Sequence, residues 1–224
     1  MVTFSPDALV DYCASVSSVP SEVCQALQEQ TVKSMGMSAH MLSGPLVGTF
    51  LGFVVRLLPA RRILDLGTFT GYSALVMAES APSDAKVYTV DIDSECVELA
   101  HTYWAKSKHG GKIESHLCGA KQAFEKIPGQ FDLVFLDEAK INYQADAALA
   151  LERLAPGGIL IADNCLWGGK VLDSTPLDAE TRAIQKFNQW VHANPHLLSC
   201  LLPIRDGLFL IQKRENSKGQ PFAK

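Results

Sequence analysis

From Arg61 onward the chain alternates short apolar runs with longer amphipathic ones, and few folds accept that alternation. A strand that is apolar nearly throughout must be buried on both faces, so the amphipathic stretches between such strands have to be the helices that cover them. Residues 63–66, 87–90, 113–117, 133–136 and 159–162 read as buried parallel strands, with helices over 73–80, 96–108, 121–126 and 143–154. Pro156-Gly157-Gly158 predicts a turn ahead of the fifth strand. Asp178 is placed to cap a helix that runs to Ala193 and that Asn194-Pro195 ends. Residues 197–203 and 207–213 then predict an antiparallel pair, turning at Arg205-Asp206-Gly207 and closing one sheet edge. The expectation is an α/β fold: a doubly wound, mostly parallel seven-stranded sheet in one domain. Residues 1–60 form an N-terminal helical layer ahead of it, and the polar end, 214–224, is a tail.

A chain of 224 residues can bury about 70% of its unfolded surface in one domain. Its net charge of −4 offers no basic face to a phosphate backbone, so no nucleic-acid partner is expected. The N-terminus lacks the basic start and apolar run of a secretory signal. The most apolar stretch, 41–58, is interrupted by Gly44, Pro45, Gly48 and Gly52 and is shorter than the roughly 20 residues of a membrane span. It reads as a buried helix. Cys13, Cys24, Cys96, Cys118, Cys165 and Cys200 are scattered without a Cys-x-x-Cys pair, which reads as free thiols serving as small buried hydrophobes in a reducing, cytoplasmic setting.

The first strand runs into Asp65-Leu66-Gly67-Thr68-Phe69-Thr70-Gly71-Tyr72-Ser73 and then a helix. Glycine after a strand lets a cofactor approach the backbone, and a helix start offers unpaired N–H groups to an anion. The second strand ends in Asp91, placed like the acid that binds a ribose in nucleotide-binding βαβ units, or else like a helix cap, since Asp93 and Ser94 follow. A nicotinamide enzyme would use the same features, but no tyrosine has a lysine four residues later and the glycines do not follow Gly-x-Gly-x-x-Gly. That reading is the weaker one. Strand four ends in Asp137 and strand five in Asp163-Asn164. If the two strands are neighbours, three oxygen ligands lie about 5 Å apart at one sheet edge. Two like charges so close call for a cation, and hard oxygen donors suit Mg²⁺ or Ca²⁺. Either aspartate alone would read as an ordinary strand-end loop residue.

At these residues the sequence resembles the cation-dependent O-methyltransferases, a group that includes catechol O-methyltransferase, plant caffeoyl-CoA O-methyltransferases and smaller bacterial relatives. The likeness runs from about Met41 to Lys213, through residues 65–73, 90–93, 135–140, 162–168 and 202–207. It implies the Rossmann-like class I methyltransferase fold, S-adenosylmethionine as methyl donor, and a divalent cation, Mg²⁺ first with Mn²⁺ or Ca²⁺ as alternatives. By the resemblance, Asp137, Asp163 and Asn164 are the metal ligands. Asp65 and Gly67 lie around the methionine part of the cofactor, Ser73 near its carboxylate, Asp91 at its ribose and Gly119-Ala120 along its adenine. Met41 and Ser43 belong to a segment folding over the methionine end. Lys140 matches a lysine proposed as general base; without the family it would read as a solvated surface lysine. Trp167 is a candidate wall for an aromatic ring, or packs against protein. Two departures stand out: Asp137-Glu138-Ala139-Lys140 shifts an acid that many relatives carry at the position of Ala139, and the region around Cys200 lacks the acid that holds a second hydroxyl in catechol O-methyltransferase.

The function implied is methyl transfer to a hydroxyl of a small catechol-like acceptor, with Asp137 and Lys140 as the catalytic pair and Lys140 taking the proton. A homodimer is expected, its contact in the helical layer before Arg61, and no membrane partner. Two rivals remain: a metal-independent methyltransferase acting on another small-molecule nucleophile, and a cofactor-binding protein without turnover.

Overall fold

The computed structural model describes residues 6–214; the polar tail and the extreme N-terminus, with the signal-peptide reading made there, lie outside the described residues. In chain order the elements are α1 (Pro6–Ser15), α2 (Glu22–Met35), α3 (Gly44–Leu57), β1 (Arg62–Leu66), α4 (Tyr72–Ser80), β2 (Lys86–Asp91), α5 (Ser94–Trp104) and β3 (Ile113–Leu117). There follow α6 (Ala120–Lys126), β4 (Phe131–Leu136), α7 (Tyr143–Arg153), β5 (Leu154–Ala162), α8 (Ala179–Ala193), β6 (Leu197–Leu202) and β7 (Leu208–Lys213). The strands form a seven-stranded sheet in the order β3-β2-β1-β4-β5-β7-β6. The pairs β1–β4, β2–β3 and β4–β5 are parallel, and β5–β7 and β6–β7 antiparallel; the strand directions are those expected, while the choice of neighbours is decided by the structure.

By contact density the chain parts into two compact units, Met1–Arg61 with Thr68–Leu117, and Arg62–Gly67 with Cys118–Lys224. In the first, α3 buries Val47, Leu51, Val54 and Val55, so the apolar stretch is a core helix. No single helix among the described residues is long and apolar enough to cross a membrane. Glu79 of α4 accepts hydrogen bonds from Ser21 (2.9 Å) and Ser107 (3.2 Å), tying the start of α2 and the turn after α5 to one carboxylate. In the second unit, Phe187 of α8 meets the rings of Tyr143 and Phe209 edge-on, at centroid distances of 5.6 and 6.1 Å. That aromatic cluster holds α7 and α8 against the sheet.

Three expectations are corrected. β5 starts at Leu154 rather than 159, and Pro156-Gly157-Gly158 lies inside it. Phe131 pairs with Leu154 but Leu133 with Ile159, so the extra residues bulge out of the ladder, with Gly157 at φ 79°. α5 stops at Trp104 rather than 108, because residues 105–110 fold back in turns such as Ser107 N–H to the Trp104 carbonyl (3.0 Å). Cys24, Cys96, Cys118 and Cys165 are buried as expected, whereas Cys13 and Cys200 are exposed.

The cap at Asp178 is the one expected, and that of α5 is Asp93 rather than Asp91. Asp178 accepts from the Thr181 amide and starts α8, and Asp93 accepts from Glu95 and Cys96 to start α5. The Cys96 amide and thiol, with the Glu95 amide, hold the Asp93 carboxyl below the usual carboxylate range. Replacing Asp93 with Ala should cost about 1 kcal/mol in urea unfolding at neutral pH. Because the folded-state pKa is depressed, the difference should be present above the unfolded value and fade as pH falls through the folded one. A pH-independent difference would mean that the ionisation of Asp93 adds nothing to the cap.

Candidate active site

The parallel ladder of the second unit continues one residue past each strand. The Asp137 amide donates to the Leu66 carbonyl (2.8 Å) and the Asp163 amide to the Leu136 carbonyl (3.0 Å). Since Leu136 pairs with Ala162, Asp137 and Asp163 stand on neighbouring strand tips. Gly67, one residue past β1, has φ 110°, and a Cβ there would sit 1.9 Å from the Asp137 carbonyl oxygen. Only glycine allows the two tips so close. Asp65, two residues earlier on β1, is fully buried.

Asp163 is also fully buried. Its Oδ1 accepts from the Asn164 amide at 2.7 Å, while Oδ2 has no hydrogen-bond partner. Burial, then the charge of Asp137, pushes the Asp163 carboxyl up to about 7, against the pull of the Asn164 amide, Arg205 and Lys140. Asn164 itself takes a left-handed φ of 57°, a conformation that asparagine tolerates better than most residues.

Lys140 is no solvated surface lysine: it is only 8% exposed. Its Nζ donates to Asp137 Oδ1 (3.0 Å) and to the Tyr143 hydroxyl (2.7 Å) and lies 4.8 Å from the Tyr143 ring centroid. Tyr143, fully buried, donates in turn to the Asp163 carbonyl at 3.0 Å. Burial, with nearby Asp137, raises its phenol well above the ordinary value, so the hydroxyl keeps its proton. Sequence reasoning missed Tyr143. Its three-residue spacing from Lys140 was the available signal, since residues so spaced share a helical face.

Trp167 is half-buried with φ 50°, its ring centroid 5.9 Å from Nζ of Lys140 and from Nζ of Lys170. The loop that carries it is fastened to the β6–β7 turn. Cys165 N–H reaches the Gly207 carbonyl (3.0 Å), Leu166 N–H the Asp206 carbonyl (2.8 Å), and Gly168 N–H the Asp206 carboxylate. Asp206 is a second residue that the sequence did not reveal, because its partners lie about forty positions away. Gly119 precedes α6, whose first residue, Ala120, is buried.

In the first unit, Asp91 is not a helix cap; Asp93 has that place. One oxygen of Asp91 accepts from the Phe69 amide (2.7 Å), the other from the amides of Ile92 (2.8 Å) and Asp93 (3.0 Å). The loop after β1 is thereby held to the end of β2, with the Thr68 amide also bound to the Val90 carbonyl at 3.0 Å. Gly71 owes its identity to packing as well: at φ 88° its Cβ would meet Ala100 Cβ and Trp104 Cζ2 at 2.6 Å, and the Trp104 indole donates to its carbonyl. Ser73 lies buried in the first turn of α4, Ser43 lies buried just before α3, and Met41 is half-exposed.

The O-methyltransferase family matches residues 14–214 of this chain. The chain belongs to that family. Caffeoyl-CoA O-methyltransferase of Eucalyptus gunnii is 30% identical over 92% of this chain and 88% of its own length. Catechol O-methyltransferase domain-containing protein 1 of Mus musculus is 34% identical over 73% of this chain, which spans only 64% of that protein. In fold, the chain resembles the SAH-bound methyltransferase of Podospora anserina (TM-score 0.87, 24% identity, covering 96% of this chain and 99% of that one). It also resembles TomG of Streptomyces achromogenes, an O-methyltransferase in complex with SAM (TM-score 0.83, 24% identity, covering 92% and 96%).

For this O-methyltransferase the closest backbone approach in the site makes a direct test. Gly67→Ala should destabilise the chain by roughly 2–4 kcal/mol in urea unfolding, since backbone and not a movable side chain opposes the new methyl. A loss below about 0.5 kcal/mol would show that the strand tips can separate.

Proposed function

We propose that this O-methyltransferase moves a methyl group from S-adenosylmethionine to one hydroxyl of a small catechol-like acceptor, with a divalent cation held by Asp137, Asp163 and Asn164. The observation that carries this reading is a pair of aspartates on adjacent strand tips, one of them fully buried with an oxygen that no hydrogen bond uses. Like charges so close, one out of water, are costly, and a cation between them removes the cost. The all-oxygen donor set suits Mg²⁺, Mn²⁺ or Ca²⁺. Among the described residues no three His, Cys, Asp or Glu side chains gather as a ligand set, and the reading takes the Asn164 amide oxygen, at the same strand tip, as its third protein donor.

A cation bound there favours the ionised form of an acceptor hydroxyl. Lys140, buried and anchored beside Asp137, is the group that receives the hydroxyl proton. Trp167 gives an aromatic acceptor a face to lie against. Most of the rate comes from fixing the acceptor oxygen in line with the sulfonium methyl, which can be worth about 7–11 kcal/mol.

For the cofactor, the reading takes Asp65, Gly67 and Asp137 toward the methionine part, with Gly71, Ser73, Met41 and Ser43, and Gly119 and Ala120 along the adenine. Asp91 has three of its roughly four acceptor positions filled by backbone amides, leaving about one for a ribose hydroxyl. The SAM and SAH carried by the two structural relatives support the donor, and the names of the Eucalyptus and mouse relatives support the acceptor class.

One observation favours a second reading. Lys140 already sits 3.0 Å from Asp137, so the lysine itself offsets part of the carboxylate charge, and transfer could then proceed without a cation. The two readings part in a methyl-transfer screen over a catechol panel, run with added Mg²⁺ and with EDTA. Loss of turnover in chelator, restored by Mg²⁺, is expected; full turnover in chelator would favour the second reading. Asp163→Ala should abolish transfer while the chain stays folded by circular dichroism. Lys140→Ala should lower kcat by roughly 10² or more at neutral pH.

The chain is further proposed to act as a homodimer in the cytoplasm, its cysteines remaining thiols. Tyr12, Val16, Val19, Phe53 and Leu57 of the helical layer are each exposed, and these are the side chains that the proposal takes a second copy to cover. Light scattering should give twice the chain mass, and Phe53→Asp should shift it toward the monomer. A monomeric wild type would end the dimer proposal.

A further inference from the structure

We propose that Tyr143 is the positioning residue of the reaction: its hydroxyl aims the proton-accepting valence of Lys140 at the acceptor. The inference rests on the reading of Lys140 given above and adds to it the group that makes the lysine directional.

Three contacts define the arrangement. The Tyr143 hydroxyl donates to the Asp163 carbonyl at 3.0 Å, with the Leu136 carbonyl farther off at 3.4 Å. A phenol has one proton, so once that proton is committed to the strand tip, the oxygen can only accept from Lys140 Nζ, 2.7 Å away. The lysine in turn donates to Asp137 Oδ1 at 3.0 Å. The order of donation is therefore Lys140 to Tyr143 to the backbone of the β5 tip.

The consequence is one of valence. A lysine nitrogen has four tetrahedral positions: one is the bond to Cε, and Asp137 and Tyr143 take two N–H donors. The position that remains is where a proton is received, and two hydrogen bonds to two different partners fix its direction. With Asp137 alone only one N–H is committed, so the accepting lone pair can take either of the two remaining tetrahedral positions. Misdirection on that scale is costly for proton transfer, which needs heavy atoms within about 2.6–3.2 Å.

The tyrosine can act as such a fixed point because its ring is enclosed by the core. It is fully buried, packed edge-on against Phe187 at 5.6 Å, and it opens α7 immediately after the 3₁₀ turn Lys140–Asn142. The same hydroxyl binds the Asp163 carbonyl, so lysine and β5 tip share one reference point.

The test compares Tyr143→Phe, Lys140→Ala and the double variant with wild type, using S-adenosylmethionine, Mg²⁺ and 3,4-dihydroxybenzoate as the probe acceptor. Y143F should lower kcat about tenfold or more with KM within about twofold, since orientation and not binding is lost. In the K140A background it should cost nothing further, because the lysine it steers is gone. A slow K140A with a full-rate Y143F overturns the inference and leaves the base reading standing. Losses that multiply in the double variant also overturn it, since the tyrosine would then act independently of the lysine. A wild-type rate in K140A overturns both. The unmutated protein offers a reading that needs no variant. With ring-labelled Tyr143, NMR should detect a slowly exchanging hydroxyl proton, and rapid exchange would overturn the inference.

Discussion

Two carboxylates on adjacent parallel strands, one of them fully out of water, make up the constraint around which the second unit is organised. Burying a charge without a full set of partners costs several kcal/mol in most settings. Here the strain falls on Asp163, whose carboxyl is driven up to about 7 by desolvation and by Asp137. The neighbours divide the work of containing it. Lys140 meets Asp137, the Asn164 amide meets one oxygen of Asp163, and the other oxygen is left for the cation that the proposed function requires.

Around that pair the backbone itself has been brought in close. Gly67 lets the end of β1 touch the end of β4, and the ladder of amide-to-carbonyl bonds runs one residue past the strands to set the two aspartates side by side. The loop after β5 bears Asn164 and Trp167 and would be free to drift if only its own turns held it. Asp206 and Gly207 fasten it from the antiparallel pair that closes the sheet edge. The last two strands therefore do more than complete the sheet: they determine where the loop beside the aspartates lies.

Much of this was legible along the chain. Apolar runs of four or five residues ending in an acid marked the strand tips, and the aspartate ahead of a helical pattern marked the cap at Asp178. The bulge in β5 was not, because Pro156-Gly157-Gly158 suits a turn and a bulge equally well; only pairing with β4 distinguishes them. Asp91 could have capped a helix or served a nucleotide. The first option closed once Asp93 took the α5 amides and Asp91 took that of Phe69, twenty-two residues earlier. Lys140 carried no sign of its burial, since a lysine beside glutamate and alanine looks like any solvated one.

The sequence by itself determined the α/β alternation, the parallel strands, the placing of Asp137, Asp163 and Asn164 at strand ends, and through its motifs the likeness to O-methyltransferases. Those features depend on period and on residues near one another along the chain, which is where local sterics and hydrophobic patterning operate. Only the tertiary structure decided that β4 and β5 are neighbours, that Lys140 is buried against Tyr143, that Asp206 anchors the Trp167 loop and that Gly67 faces a carbonyl. Each of these is a contact between segments whose separation in sequence carries no record of their distance in space, and burial and directed hydrogen bonds act on that distance alone.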